Sequence, residues 1–300
     1  MSTEVAAMVG ACGAALIAGF VLIGPRLRAA SGAGKVVALG PVFEAAALAT
    51  FAAEHFTAAR DLMPIVPRWL PGPLFWTYFA GAALLAAAVS FIAWRCVGWS
   101  APLLALFFLL IVALLDLPRI PRLAHERLFW TLTVRETTFA AGALVLAGSV
   151  WRNAAVARLG RSIVAAAIVF YAIEHFLFPR NVPGVPLEKM TPAWMPAPVA
   201  IAYVVGIVLL VAGPLLLIPR TRQLAAAGAG TVLVLLTALF YVPIFAREIH
   251  TSLAVEGMNY VGDTLLFAAT VLLAGFGAEP MGAQEAVPAM AASGQGALRG

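Results

Sequence analysis

Charge is what this sequence lacks most. Asp, Glu, Lys and Arg make up 11% of its 300 residues and hydrophobic residues 63%, with a mean hydropathy of +0.97. A soluble domain carries about twice that share of charge, so a soluble globular fold is excluded. Lysine is nearly absent: Lys35 and Lys189 are the only two. Arginine in place of lysine, with abundant alanine and glycine, points to a GC-rich bacterial genome and hence to a bacterial inner membrane. Cysteine is equally scarce. Cys12 falls in an apolar segment and Cys96 in a short loop. No C-x-x-C pair occurs, which excludes dithiol chemistry of the thioredoxin kind. The formal charge of +5 is spread over short loops between apolar segments, the pattern of topology signals rather than of a nucleic-acid surface.

Present instead are apolar runs close to the roughly 20 residues that cross a bilayer. The first is Val5–Ile23, with Glu4 before it and Arg26, Arg28 and Lys35 after it. A secretory signal carries its positive charge in front, so this reads as an uncleaved helix with its N-terminus outside. Further segments are Val36–Phe56, Leu74–Ala93, Ala101–Leu117, Thr137–Trp151, Ser162–Phe178, Val199–Ile218, Leu224–Phe245 and Thr264–Phe276. Pro118 and Pro121 are expected to end the fourth, because proline has no N–H with which to continue a helix. The tail 278–300, rich in Ala, Gly, Gln and Pro, is expected to be disordered and cytoplasmic. The loops after the odd-numbered segments hold basic residues and no acid. The opposite loops mix similar numbers of bases with nearly all the acids. This favours an external N-terminus and a cytoplasmic C-terminus. All seven tryptophans fall near segment ends, as in an interfacial belt.

The chain states one unit twice. AEHF at Ala53–Phe56 returns as IEHF at Ile173–Phe176, and WLPGP at Trp69–Pro73 returns as WMPAP at Trp194–Pro198. A shift of 125 residues maps Trp69 on Trp194, Arg95 on Arg220, Pro118 on Pro243, Arg122 on Arg247 and His125 on His250. His55 maps on His175 at a shift of 120, and Glu136 on Asp263 at 127. The expected architecture is all-α and polytopic. Nine transmembrane helices form one N-terminal helix (1–35) and two tandem four-helix bundles (36–151 and 152–277). A four-helix repeat returns to its starting side, so the bundles should be parallel, related by a pseudo-two-fold along the membrane normal.

An E-H-F helix end, Pro-rich text with W-x-P-x-P and three further helices resemble the DoxX-like family of membrane proteins. The likeness covers both halves. It implies four-helix units and a role as an accessory component of a quinone-linked or stress-related redox system, with a redox protein or quinone as partner. One departure stands out. The family often carries G-x-x-E in its second helix, where this chain has Gly81-Ala82-Ala83-Leu84, and the seventh segment has no acid either.

All four histidines belong to repeat-related pairs on the expected outer face. With them come Glu54 and Glu174, Arg122 and Arg247, and an acid each from the fifth and ninth segments. Those two segments have uncharged cores of only about 15 residues, roughly 22 Å at 1.5 Å per residue. To span about 30 Å of hydrocarbon each must start about five residues earlier, which draws Glu136 and Asp263 below the surface. Such a carboxylate needs a partner or a proton. The expectation is two sites: His55 and His125 approaching Glu136, and His175 and His250 approaching Asp263. Three uses are open. The groups cap helix ends; or the histidines, with Met63, Met190 and Met195 nearby, ligate a metal or haem; or they exchange protons with a quinol. Glu44, some 12 Å into the second segment, is a separate intramembrane acid and a functional candidate by default. Its repeat partner is Val164. Against the accessory redox role stands a small-molecule or ion transporter built on the parallel repeat.

Overall fold

The computed structural model describes residues 1–185 and 187–277. The disordered tail expected at 278–300 lies outside the described residues. Among those residues the chain is helical, with no strand beyond an isolated bridge between Asn181 and Met190. Seven helices are long and apolar enough to cross a membrane: α1 (Thr3–Leu22), α2 (Gly34–Thr57), α3 (Pro73–Ala93), α4 (Val97–Leu123), α6 (Ala154–Leu177), α7 (Pro198–Leu217) and α8 (Arg222–Glu248). The chain is thus a polytopic helical membrane protein. Two more helices, α5 (Arg127–Val150) and α9 (Ala254–Leu273), are 24 and 20 residues long. Neither has a stretch as apolar as those of the other seven.

Local chemistry explains most boundaries. The Ser2 hydroxyl caps α1 by accepting from Val5 N at 3.2 Å, and Asn153 caps α6 by accepting from Ala155 N and Val156 N. Pro73 and Pro198 open α3 and α7 in the first turn, where a missing N–H costs nothing. The fourth segment does not stop at Pro118, as its prolines suggested. It widens into a π-helical turn at Val112–Asp116, tightens to a 3₁₀ turn and runs on to Leu123. α8 has the same π-helical turn at Thr237–Tyr241, just before Pro243. A π-turn re-registers the backbone so that the proline, unable to donate, leaves the helix continuous.

The packing order is a closed ring. α2 packs on α3, α3 on α4, α4 on α5, α5 on α6, α6 on α7, α7 on α8, α8 on α9, and α9 back on α2. α5 and α9 also pack on each other inside the ring, and α1 lies outside against α2. The halves are therefore not self-contained bundles: the first helix of each packs on the last helix of the other. Burial follows. α1 buries the single stripe Val5, Met8, Cys12, Ala15 and Gly19 and turns Ile17 and Val21 outward at 69% and 74% exposure. α3, α4, α7 and α8 likewise expose large apolar side chains, while α9 is buried along nearly its whole length. A helix shielded from lipid need not be apolar, which is why α5 and α9 escape a hydropathy reading.

Two ends can be told apart. The upper end carries Met1, whose amine is 3.3 Å from His250 Nδ1. At the lower end Arg161 donates to Ala274 O and Phe276 O, and Arg26 stacks on Trp94.

Close approach of α6 to α5 rests on Gly160. A Cβ there would stand 2.5 Å from Ala141 O and 2.9 Å from Val145 N, both backbone atoms that cannot swing aside. Gly160→Ala is expected to destabilise the protein by about 1–3 kcal/mol. Gly228→Ala, where a Cβ meets nothing within 4 Å, should be neutral or gain up to about 1 kcal/mol of helix propensity. Thermal aggregation in detergent would check both, and equal behaviour of the two would refute the packing argument.

Candidate functional site

The acids meet on α5 and α9. Glu136 and Asp263 each sit nine residues into their helix, some 14 Å below its start at 1.5 Å per residue. The helices begin ten residues before the apolar segments read from sequence, not five, and the acids lie deeper accordingly. Arg135, on α5, donates from Nη1 to Asp263 Oδ2 on α9 at 2.6 Å. Its Nη2 is 3.8 Å from Glu136 Oε1, and its side chain is 13% exposed. Asp116, from the end of the π-helical turn in α4, lies beside Glu136 with its Oδ2 buried and without a hydrogen-bond partner. One guanidinium thus faces two carboxyl groups in the seam between the halves, with Asp116 a third beside Glu136. It cannot neutralise all three, and the balance falls to protons shared within the cluster.

Glu174, at the top of α6, reaches the same helix nearer its start. Its Oε1 accepts from Thr131 Oγ1 at 2.9 Å and from Arg127 Nη1 at 3.2 Å. Glu54, at the top of α2, accepts from Asn259 Nδ2 on α9 at 2.8 Å. Each of these glutamates therefore bonds the last helix of the opposite half.

The histidines do something else. His175 is fully buried; its Nδ1–H donates to Tyr171 O at 2.6 Å and its Nε2 accepts from Gly184 N at 2.8 Å. Both ring nitrogens are used, and what the ring holds is the loop after α6, at Gly184. That loop is pinned again by Tyr241 Oη to Pro183 O, by Arg127 Nη2 to Leu187 O, and by Lys189 on Glu248 at 2.8 Å. His55 is half-buried and directs Nδ1 to its own helix at Phe51 O, 2.8 Å away. His125 is 77% exposed and pairs with its neighbour Glu126. It precedes Glu136 by 11 residues, about 16 Å along the helix. His250 bonds the N-terminal amine. Arg122 is exposed, and Arg247 stacks on Trp194 with its guanidinium 4.2 Å from the ring.

The expectation of two histidine–acid sites, one per half, is thus corrected to a single seam in which arginine does the pairing. Histidines at helix ends have backbone carbonyls and solvent to bond; an acid 14 Å down has neither. A metal fits poorly. Among the described residues no group of three or more His, Cys, Asp or Glu is placed to hold an ion, and the one fully buried histidine has no lone pair to offer.

Sequence reasoning gave Arg135 and Asp116 no place among the expected site residues. It missed Arg127, Thr131, Asn259 and Lys189. The signal available for Arg127 and Lys189 was their lack of a repeat partner. Glu44 lies where it was expected, fully buried in α2, with neither carboxyl oxygen hydrogen-bonded.

Comparison with family models, with curated proteins and with solved structures gives no match.

Removing one member of a buried ion pair costs about 3–5 kcal/mol, because the other charge is left alone. Asp263→Leu should lose about that much, and adding Arg135→Leu should recover part of it. A double-mutant cycle of thermal stabilities checks the coupling; strictly additive losses would show that the two side chains do not interact.

Proposed function

We propose that this chain is an inner-membrane protein that carries protons within the bilayer for a quinone-linked or stress-related redox system, as an accessory component of the DoxX-like kind. The single observation that supports proton handling is the seam, where Arg135 is shared by Asp263 and Glu136 and Asp116 lies beside Glu136. Groups this close titrate as a unit and can pass a proton among themselves. The resemblance to the DoxX-like family supports the redox setting.

Nine spans are part of the same reading. At 1.5 Å per residue, α5 and α9 are about 36 and 30 Å long, enough for a hydrocarbon core of about 30 Å. The first residue lies at the upper end and Phe276 at the lower, as an odd number of crossings requires. The duplication is supported by contacts that recur at the sequence shifts. His55 and His175 bond the carbonyl four residues back. Gly81 and Gly206 lie against the Cβ of those two histidines. Phe56 stacks on Tyr78 and Phe176 on Tyr203, at 6.3 and 6.0 Å. Fusions of a periplasm-active reporter at the N-terminus and a cytoplasm-active one after Gly277 should both be active; signals on the same side would remove a span.

Flux tests the function. Vesicles holding the purified protein, with the potential clamped by valinomycin and potassium, should collapse an imposed pH gradient faster than empty vesicles. Glu136→Gln and Asp263→Asn should return the rate to that of empty vesicles. A wild-type rate no faster than the lipid leak, with and without an added quinol, would overturn the proposal. The second reading, a transporter, is favoured by Glu44, an unpartnered acid deep in α2. A transporter would move protons only when its substrate is present.

A further inference from the structure

The lower end of the molecule carries charge of one sign. Every charged residue in the turns there, 24–35, 94–96, 151–161 and 218–223, is an arginine or, at position 35, a lysine. Among the described residues the acid nearest to Lys35 along the chain is Glu44, nine residues on and fully buried. Two of these cations are engaged within the protein. Arg161 donates to Ala274 O and Phe276 O, and the Arg26 guanidinium lies 4.5 Å over the Trp94 ring. Arg28 and Lys35 are exposed, and among the described residues neither has an ion pair or a hydrogen bond from its side chain.

These two free cations line a cleft, where the chain leaves α1 and enters α2. Higher up the two helices touch. Gly19 lets α1 close on α2, since a Cβ there would stand 2.5 Å from Val42 Cγ1. Past Ile23 the chain turns through a short helix, Gly24–Ala29, with Pro25 in its first turn. Between this helix and the start of α2 opens a cleft of about 450 Å³, lined by Leu27, Arg28, Lys35, Val36 and Leu39. Three of its walls are aliphatic and two are cationic. The neighbour from the ring is neutral: the amide oxygen of Gln223, on α8, would stand 3.5 Å from a Cβ on Gly34. Depth follows from length. α1 has 20 residues, about 30 Å at 1.5 Å per residue, which is the thickness of the hydrocarbon core. A cleft just past its end lies at the level of the lipid headgroups.

We infer that an anionic phospholipid occupies this cleft, with its phosphate between Arg28 and Lys35 and the first carbons of its acyl chains on Leu27, Val36 and Leu39. A guanidinium can take two phosphate oxygens at once, and an ammonium adds a point charge beside them. Basic pockets between membrane helices recognise headgroups in this way. The aliphatic walls favour a lipid over a free phosphate, because they offer nothing to a hydrated ion. The volume is that of a site for one small molecule. The seat also joins the foot of α1 to α2. Elsewhere α1 meets the ring through the single stripe from Val5 to Gly19, so a lipid here would fill the gap beneath a peripheral helix. The inference does not depend on proton handling in the seam.

Native mass spectrometry tests it. The full-length protein is released from micelles that hold equal amounts of phosphatidylglycerol and phosphatidylcholine with the same acyl chains. Each cation beside an anionic headgroup contributes about fivefold, so the two should favour phosphatidylglycerol by roughly 25-fold. Arg28→Gln with Lys35→Gln should bring the two lipids close to parity. Arg158→Gln with Arg220→Gln, at exposed positions of the same end, should leave the preference in place. Should the first pair fail to fold, Arg28→Gln alone should lose about fivefold. Equal retention of the two lipids by the unaltered protein would overturn the inference. An equal loss in both pairs of variants would also overturn it, by making the preference a property of the whole end. Displacement of the lipid by inorganic phosphate, but not by chloride at the same ionic strength, would make the cleft an ion site instead. The sequence beyond residue 277 carries Glu279 and Glu285. A rise in phosphatidylglycerol retention in Glu279→Gln with Glu285→Gln would give the cleft to that segment and overturn the lipid as its occupant.

Discussion

An arginine and an aspartate from opposite halves, 2.6 Å apart and shielded from lipid, set the arrangement of everything around them. Ions at this depth cannot be left to hydrocarbon, because each costs several kcal/mol unless paired. The helices that carry them, α5 and α9, must therefore be covered on every side. The ring does this. α2 and α6, rich in alanine, pack closely on α9 and α5, and the helices with large apolar faces go outside. Gly160 on α6, against the α5 backbone, is where that closeness is made. The swap of partners between halves follows too. If each half had closed on itself, its last helix would face its own first helix, and Arg135 would have no acid of the other half to meet.

What was legible in the sequence was whatever lipid dictates. Apolar runs mark α1 to α4 and α6 to α8, because those helices touch hydrocarbon and must be apolar to do so. The E-H-F and W-x-P-x-P signals fall on helix ends. Where a helix is sheltered, the same reasoning fails. It cut α5 and α9 short at their charges and left ten residues of helix in each as loop. It also tied Glu136 to His125 and Asp263 to His250 because they were neighbours in the chain. Nothing in a linear repeat says which half a side chain will face. The prolines after the π-helical turn in α4 were read as a helix stop, since a proline normally ends a helix, whereas in α8, which has the same turn, the segment was read through Pro243 to Phe245. That both lie at equivalent places, one ending at Asp116 and the other at Tyr241, shows a shared backbone solution with different side chains fitted to it.

That difference of side chains on a common frame is the most informative feature of the site. Asp116 faces the seam where the second half has Tyr241, which instead bonds Pro183 O and helps hold the loop. Glu54 is held by the amide of Asn259, whereas Glu174 is held by the guanidinium of Arg127 and a hydroxyl. An amide leaves its glutamate's charge uncompensated; a guanidinium cancels it. The first half therefore keeps acid where the second half neutralises it or replaces it with a phenol.

Glu44 extends the same asymmetry downward. On α2, Gly40 packs on Leu272 and Leu273, and Phe51 on Gly262, all of α9. Residues 40, 44 and 51 share one face of a 3.6-residue helix, so Glu44 points at α9 between those two contacts. It lies seven residues, about 10 Å, below the level of Asp263's neighbour Gly262. The repeat puts Val164 in its place in the other half, fully buried and in need of no partner. Small residues of α9, Ala268 and Ala269, stand at that level, and Thr270, next in the chain, has a buried hydroxyl that, like both oxygens of Glu44, has no hydrogen bond. A purely structural helix contact at this depth would favour the valine, since an unpartnered carboxyl weakens the packing it sits in. Glu54, Asp263 and Glu44 descend in order along the α2–α9 contact, whereas α6 carries Val164 where α2 carries Glu44.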